Sequence, residues 1–164
     1  MVNPNNITRL LDSRKIRYKA FELPAEKLGA RETARLLGVE PELVYKTIVI
    51  TRSKGKPILA VIPGPNRVDL KLLASALGEK KVNLPTEREA ETLTGLQAGG
   101  ISPLALVNKG FQVVIDSAAQ ARPELHVSGG QRGLNIRLPV DALVELTHAR
   151  FAYVSVPDLE DPLG

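Results

Sequence analysis

The chain has 164 residues, with 22 lysines and arginines against 18 aspartates and glutamates for a formal net charge of +4, and a 43% hydrophobic fraction. That is enough apolar material for one folded domain without a disulfide or metal, expected over residues 1–156 with a loose tail at 157–164. The absence of cysteine excludes thiol nucleophiles and thiolate metal sites. No apolar run approaches the ~20 residues of a membrane helix, and the first nine residues carry no secretory h-region, so the expected setting is the cytoplasm.

Taken in chain order, residues 5–14 place Ile7, Leu10 and Leu11 at helical spacing. Residues 15–21 alternate, with Ile16, Tyr18 and Ala20 on one side and Arg17 and Lys19 on the other, as a half-buried strand does. Residues 22–29 hold the breakers Pro24 and Gly29 and read as a loop. A short helix over 30–37 ends at Gly38, and Pro41 suits the first position of another turn. Residues 45–51 and 57–62 are β-branched runs joined by a polar glycine-containing link, the pattern of a hairpin. Asp69 caps a helix bearing Leu70, Leu72, Leu73, Ala76 and Leu77, stopped by Gly78. A short strand over 81–84 follows. Thr86 and Glu89 then form a capping box for a helix ending near Gly95.

Beyond a loop at 97–103, strands are expected at 111–116, 125–128, 134–138 and 151–156, with a helix over 139–146. The order α–β–α–β–β–α–β–α–β–β–β–α–β mixes hairpins with crossovers. It implies an α/β fold of α+β character, a curved, barrel-like mixed sheet surrounded by helices.

A pI near 9.5 points to an anionic partner, nucleic acid being the usual one. The basic residues are nevertheless scattered, as Lys15, Arg17 and Lys19, then Arg52, Lys54 and Lys56, then Lys80 and Lys81. A solvated surface with slight positive excess accounts for the charge equally well. The two histidines, His126 and His148, sit in no metal-binding or triad spacing, and no phosphate-binding glycine motif is present.

Three features have chemical potential. Lys46, within Val44-Tyr45-Lys46-Thr47, opens an otherwise apolar strand, where a lysine either snorkels to solvent or points into a polar pocket. Gly99-Gly100-Ile101-Ser102-Pro103 offers backbone that a ligand can approach closely and N–H groups able to hold an oxyanion; it also reads as a plain connection. Ser128-Gly129-Gly130-Gln131-Arg132-Gly133 places an arginine suited to phosphate or carboxylate in what is otherwise an ordinary hairpin turn.

Together these segments, continuing through Leu134-Asn135-Ile136, stand in the order and spacing of the YbaK proteins. Those are free-standing relatives of the editing domain inserted in bacterial prolyl-tRNA synthetases. Asp69-Leu70-Lys71 and Val114-Ile115-Asp116 match as well. The resemblance implies a trans-editing aminoacyl-tRNA deacylase with no cofactor or metal, acting on mischarged tRNA, foremost tRNA-Pro. Prolyl-tRNA synthetase is a further implied partner, and a membrane is not.

It also implies that cysteine is the amino acid removed, its own thiol attacking the ester to leave as a thiolactone. Other branches use water on alanine or further small residues. Lys46 would hold the terminal phosphate or polarise the ester, and Gly99, Gly100 and Ile101 would orient the carbonyl. Phe21, Tyr45, Ser102, Pro103, Ser128, Gly129, Gly130, Arg132 and Asn135 would contact substrate. The sequence departs from the family pattern at Phe21, where a tyrosine is usual, and at Asn135, which stands in place of an aspartate. A non-catalytic aminoacyl-tRNA- or RNA-binding module that keeps the fold is the alternative.

Overall fold

A computed structural model describes residues 5–160. Helix α1 (Asn6–Ser13) is capped by Asn5, whose side chain accepts from the Thr8 N–H while the Thr8 hydroxyl accepts from the Asn5 N–H. It ends where Lys15 adopts a left-handed φ of 55°. That turn uses up the start of the expected first strand, and β1 is confined to Lys19–Glu22. Helix α2 (Ala30–Leu37) stops at Gly38, as expected. A 3₁₀ turn at Pro41–Leu43 leads into the hairpin of β2 (Tyr45–Arg52) and β3 (Ile58–Pro63).

The chain then makes an unexpected short strand, β4 (Asn66–Val68), before α3 (Leu70–Leu77). Asp69 caps α3 by accepting from the Leu72 N–H at 2.9 Å. β5 (Val82–Asn83) precedes α4 (Glu87–Thr94), whose Thr86–Glu89 capping box is formed. β6 (Gln112–Asp116), β7 (Glu124–Ser128), β8 (Leu134–Pro139) and α5 (Val140–Thr147) follow.

The last expected strand is divided into β9 (Arg150–Ala152) and β10 (Ser155–Pro157). The buried Asp116 carboxylate causes the break. Its Oδ1 accepts from the Val154 N–H at 3.1 Å and the Ser155 hydroxyl at 2.9 Å, drawing the chain off β6 and onto β4. Pro157, the first residue of the expected tail, pairs with Asn66; 161–164 lie outside the described residues.

The strands form a mixed α/β architecture without a closed barrel. One sheet has the order β5-β2-β3-β6-β9, antiparallel at β5-β2-β3 and parallel at β3-β6-β9. A second has the order β1-β8-β7 and is antiparallel throughout; β10-β4 is a small ribbon.

β3 is central and buried along its whole length, as its unbroken apolar run requires. Its alternation sends Leu59 and Val61 into a core shared with Leu125, Val127, Ile136 and Leu138 of the second sheet, Leu11 of α1 and Leu143 of α5. Ile58, Ala60 and Ile62 face the other way, onto Leu73 of α3.

Beyond that shared core, the main chains of the two larger sheets are joined, among the described residues, by a parallel bridge between Val44 and His126. Farther along, the same edge of β2 pairs with β5 at Thr51 and Arg52. Between these two attachments no strand among the described residues covers the edge of β2 that faces away from β3. The fold is split there.

Candidate functional site

The split in the sheet is a cleft. A cavity of about 430 Å³ lies along Val44 and residues 45–49 of β2, within the size range of small-ligand sites. Its other walls are the 23–30 segment, Leu84 and Pro85, Glu87 and Ala90 of α4, Ala98, Gly99 and Ile101, and Ser128 with 133–135. Three segments far apart in sequence therefore border one hollow, and Lys46 borders it with them.

Of the thirteen site residues expected from sequence, six line the cleft: Tyr45, Lys46, Gly99, Ile101, Ser128 and Asn135. The others are placed around it. Gly100 lies between the two glycine loops. A Cβ there would stand 2.8 Å from Gln131 Cα and 2.9 Å from its carbonyl carbon, so only glycine permits this approach. Arg132 fastens the same junction, its Nε donating to the Ala98 carbonyl at 2.7 Å. Gly129 packs beneath Leu134, and Gly130 beside Ile7.

Ser102 is fully buried; its hydroxyl accepts from the Leu104 N–H at 3.2 Å and so caps the short turn that Pro103, also buried, begins. Phe21 lies opposite Asn135 in register. Lys19 Nζ is 5.1 Å from its ring centroid and the Arg137 guanidinium 5.7 Å. Sequence reading did not separate these roles, because a glycine that admits a ligand and one that admits a second loop look alike.

The loop's own hydrogen bonds narrow its chemistry. The Ala98 N–H donates to Glu91 Oε2 at 2.7 Å, and the Gly100 N–H donates to the Gln97 carbonyl at 2.8 Å. Among the described residues, the N–H groups of Gly99 and Ile101 have no internal acceptor, and both residues border the cleft. Gly99 holds a φ of 88° with its Cα hydrogen side against Lys27, a conformation glycine adopts at little cost.

The charged groups bordering the hollow are Glu26, Lys46 and the Lys27–Glu87 ion pair. His126 is buried beside the hollow, and its Nδ1 lies 2.8 Å from Asn135 Oδ1. Burial holds the imidazole below its usual value, so it is neutral near pH 7. The two are diagonal neighbours on one face of the β7–β8 pair, a relation that the hairpin register alone encodes. Burial, and then the charge of Asp116, push the Tyr45 phenol up to about 12, so it stays protonated. Ser128 Oγ accepts from the Gly130 N–H at 3.3 Å. Among the described residues no cluster of histidine, aspartate and glutamate could hold a metal ion.

One wall was not expected at all. The loop expected at 22–29 borders the cleft, with Leu23 and residues 26–30 lining it as a strap. Leu23 anchors one end through its N–H to the Gly133 carbonyl at 2.9 Å, and Lys27 forms an ion pair with Glu87 of α4 near the other. The pair joins residues 60 positions apart, so no local pattern announces it. The arrangement brings Lys46, the Lys27–Glu87 pair and main-chain donors to a hollow whose lining is mostly apolar.

Comparison with known proteins gives the same direction. Residues 25–146 match the family described as the aminoacyl-tRNA editing domain. A proposed Cys-tRNA(Pro)/Cys-tRNA(Cys) deacylase of Enterococcus faecalis, EbsC, is 36% identical over 155 residues, covering 93% of this chain and 94% of that protein. A proline–tRNA ligase of Thermodesulfovibrio yellowstonii is 28% identical over 94 residues, 57% of this chain but 16% of the ligase. The crystal structure of a proposed trans-editing enzyme for prolyl-tRNA synthetase superposes with a TM-score of 0.79 at 28% identity, covering 94% of this chain and 99% of that one.

Proposed function

The chain belongs to the aminoacyl-tRNA editing domain family, and on that footing we propose that it is a trans-acting deacylase releasing a small, wrongly attached amino acid from the 3′ end of tRNA-Pro. The observation that carries this reading is the convergence of Lys46, Gly99, Ile101 and Ser128 on one hollow. Lys46 supplies the positive charge for the terminal phosphate or the ester oxygen. The N–H groups of Gly99 and Ile101 steady the acyl oxygen as negative charge develops on it. Gly100 and Arg132 hold that loop against its neighbour, so the donors are set before substrate arrives.

Cysteine is the amino acid favoured, by analogy with the Enterococcus relative. A cysteinyl ester carries its own nucleophile. The thiol sulfur bonds to the acyl carbon, the bond from that carbon to the ribose oxygen breaks, and the thiol proton ends on the departing oxygen. Cysteine leaves as a thiolactone. A protein whose cleft offers position and charge, with its one nearby histidine engaged by Asn135, suits a reaction in which the substrate does the attacking. Prolyl-tRNA synthetase is the partner that presents the tRNA, because phosphate contacts dominate nucleic-acid affinity and the basic residues here are scattered.

The test is a panel of cysteinyl-, alanyl- and seryl-tRNA-Pro, with and without prolyl-tRNA synthetase, following labelled amino acid and the chemical form in which it leaves. Release of cysteine as thiolactone supports the whole reading. Release as free amino acid shifts the chemistry to water. Intact tRNA binding with no release from any substrate favours the non-catalytic module.

A further inference from the structure

The α-ammonium of an aminoacyl group needs an acceptor, and the side chains lining the cleft are largely committed. Asn135 Oδ1 meets His126, Ser128 Oγ accepts from Gly130, and Glu87 is paired with Lys27. Glu26 lies exposed on the strap. Beside the Thr33 and Thr47 hydroxyls and the Gly99 and Ile101 N–H groups, the edge of β2 adds main-chain donors and carbonyl acceptors.

Its direction follows from register. The Val44 carbonyl accepts from the Gly64 N–H at 2.8 Å, so this residue addresses the β3 side. Main-chain direction alternates along an antiparallel strand. Lys46, Ile48 and Ile50 therefore bond to Ile62, Ala60 and Ile58, and Tyr45, Thr47, Val49 and Thr51 address the other edge. Thr51 meets β5 there, and the Val44–His126 bridge closes the other end.

Thr47 and Val49 remain between, both lining the cleft, with no strand partner on that side among the described residues. Backbone groups withdrawn into a cleft are strongly biased towards acquiring a partner. Val49 is 3% exposed; Thr47 is half-buried and adjoins Lys46.

We propose that Thr47 reads the aminoacyl group through its main chain: the Thr47 carbonyl accepts from the α-ammonium and the Thr47 N–H donates to the acyl carbonyl. An α-aminoacyl group presents its amine and carbonyl in the relation that any strand residue presents its own N–H and C=O. It therefore completes the split sheet as a one-residue strand, exchanging both hydrogen bonds with Thr47. The inference rests on the deacylase reading and assigns the amino-acid end of that same site. Recognition of the ammonium then needs no carboxylate, which explains how Asn135 can stand where the family pattern has an aspartate.

The experiment is NMR titration of the whole protein with 3′-deoxy-3′-(L-alanylamino)adenosine, an amide that cannot be deacylated. The Thr47 amide proton moves downfield, and its exchange slows roughly tenfold as it gains a bond. The propanoylamino analogue, lacking only the amine, binds more weakly and reduces the Thr47 response. Shifts at Lys46, Gly99 and Ile101 with none at Thr47 overturn this assignment and leave the deacylase site standing, as does a response at Val49 alone. No shift anywhere in the cleft overturns both. Thr47→Pro gives an independent arm. Its N–H faces the open edge, so proline removes no ladder bond, and the variant, checked for folding by circular dichroism, binds the alanyl analogue at least about tenfold more weakly, an effect the size of a lost hydrogen bond. Undiminished affinity in a folded Thr47→Pro also overturns it.

Discussion

Gly100→Ala probes the junction on which the site depends. The added Cβ would lie 2.8 Å from Gln131 Cα, 2.9 Å from its carbonyl carbon and 3.1 Å from the Arg132 nitrogen. Ordinary contact is about 3.5–4.0 Å, and all three atoms are backbone, so the loops must part by roughly 0.5–1 Å. Overpacking of this kind costs about 1–3 kcal/mol, and a protein of this size loses about 2–4 °C of Tm per kcal/mol. The larger effect is on rate. Gly99 and Ile101 flank the displaced residue, and a misplacement near 1 Å costs about 10²-fold.

Single-turnover release of labelled cysteine from cysteinyl-tRNA-Pro, paired with thermal melts, measures both. Gly95→Ala is the control. Gly95 has a positive φ of 71°, unlike Gly100, and its Cβ would meet open space, so that variant loses about 1 kcal/mol to backbone strain with its rate intact. Wild-type rate and Tm in Gly100→Ala would refute the reasoning, and so would equal rate losses in the two variants.

Three further outcomes follow from the same structure. Burial holds the His126 pKa in the folded state below the unfolded value of 6.5. The unfolded chain therefore binds the extra proton first as pH drops, and stability present above pH 6.5 is lost below it. His126→Gln flattens that slope in denaturant midpoints taken between pH 5 and 7.5. Lys27→Ala breaks an exposed ion pair worth less than about 1 kcal/mol, so Tm barely changes, yet the loosened strap raises KM more than it lowers kcat in steady-state deacylation. Asp116→Asn substitutes a neutral amide for a carboxylate whose Oδ1 accepts from Val154 and Ser155. It costs about 1–3 kcal/mol and speeds hydrogen exchange in β10 ahead of the rest of the sheet.

The elements that carry their own local signal were legible in the sequence. Helix caps at Asp69 and Thr86, glycine stops at Gly38, Gly78 and Gly95, and the β2–β3 hairpin each rest on residues within a few positions of one another. β4 and the break between β9 and β10 were not, because β4 rests on pairing with the distant β10 and the break on Asp116 reaching a segment 38 and 39 residues later.

The candidate site divides in the same way. Lys46 and the two glycine loops stood out by composition, and they meet at one cleft. The strap, its Lys27–Glu87 clasp and the open edge of β2 escaped notice, since each is a relation between distant segments. Ser102 and Pro103 stood out for the same reasons as Gly99, yet they cap a buried turn. Adjacency in a motif did not settle which residues reach the hollow.

The central claim is that the positive charge of Lys46 acts on the terminal phosphate or the ester oxygen in the cleft that Lys46 shares with Gly99 and Ile101. Single-turnover cysteine release by Lys46→Ala, with protein saturating over cysteinyl-tRNA-Pro, tests it most directly. A folded variant slower than wild type by about 10²–10³-fold is the predicted result. A folded variant that releases cysteine at the wild-type rate would contradict the account.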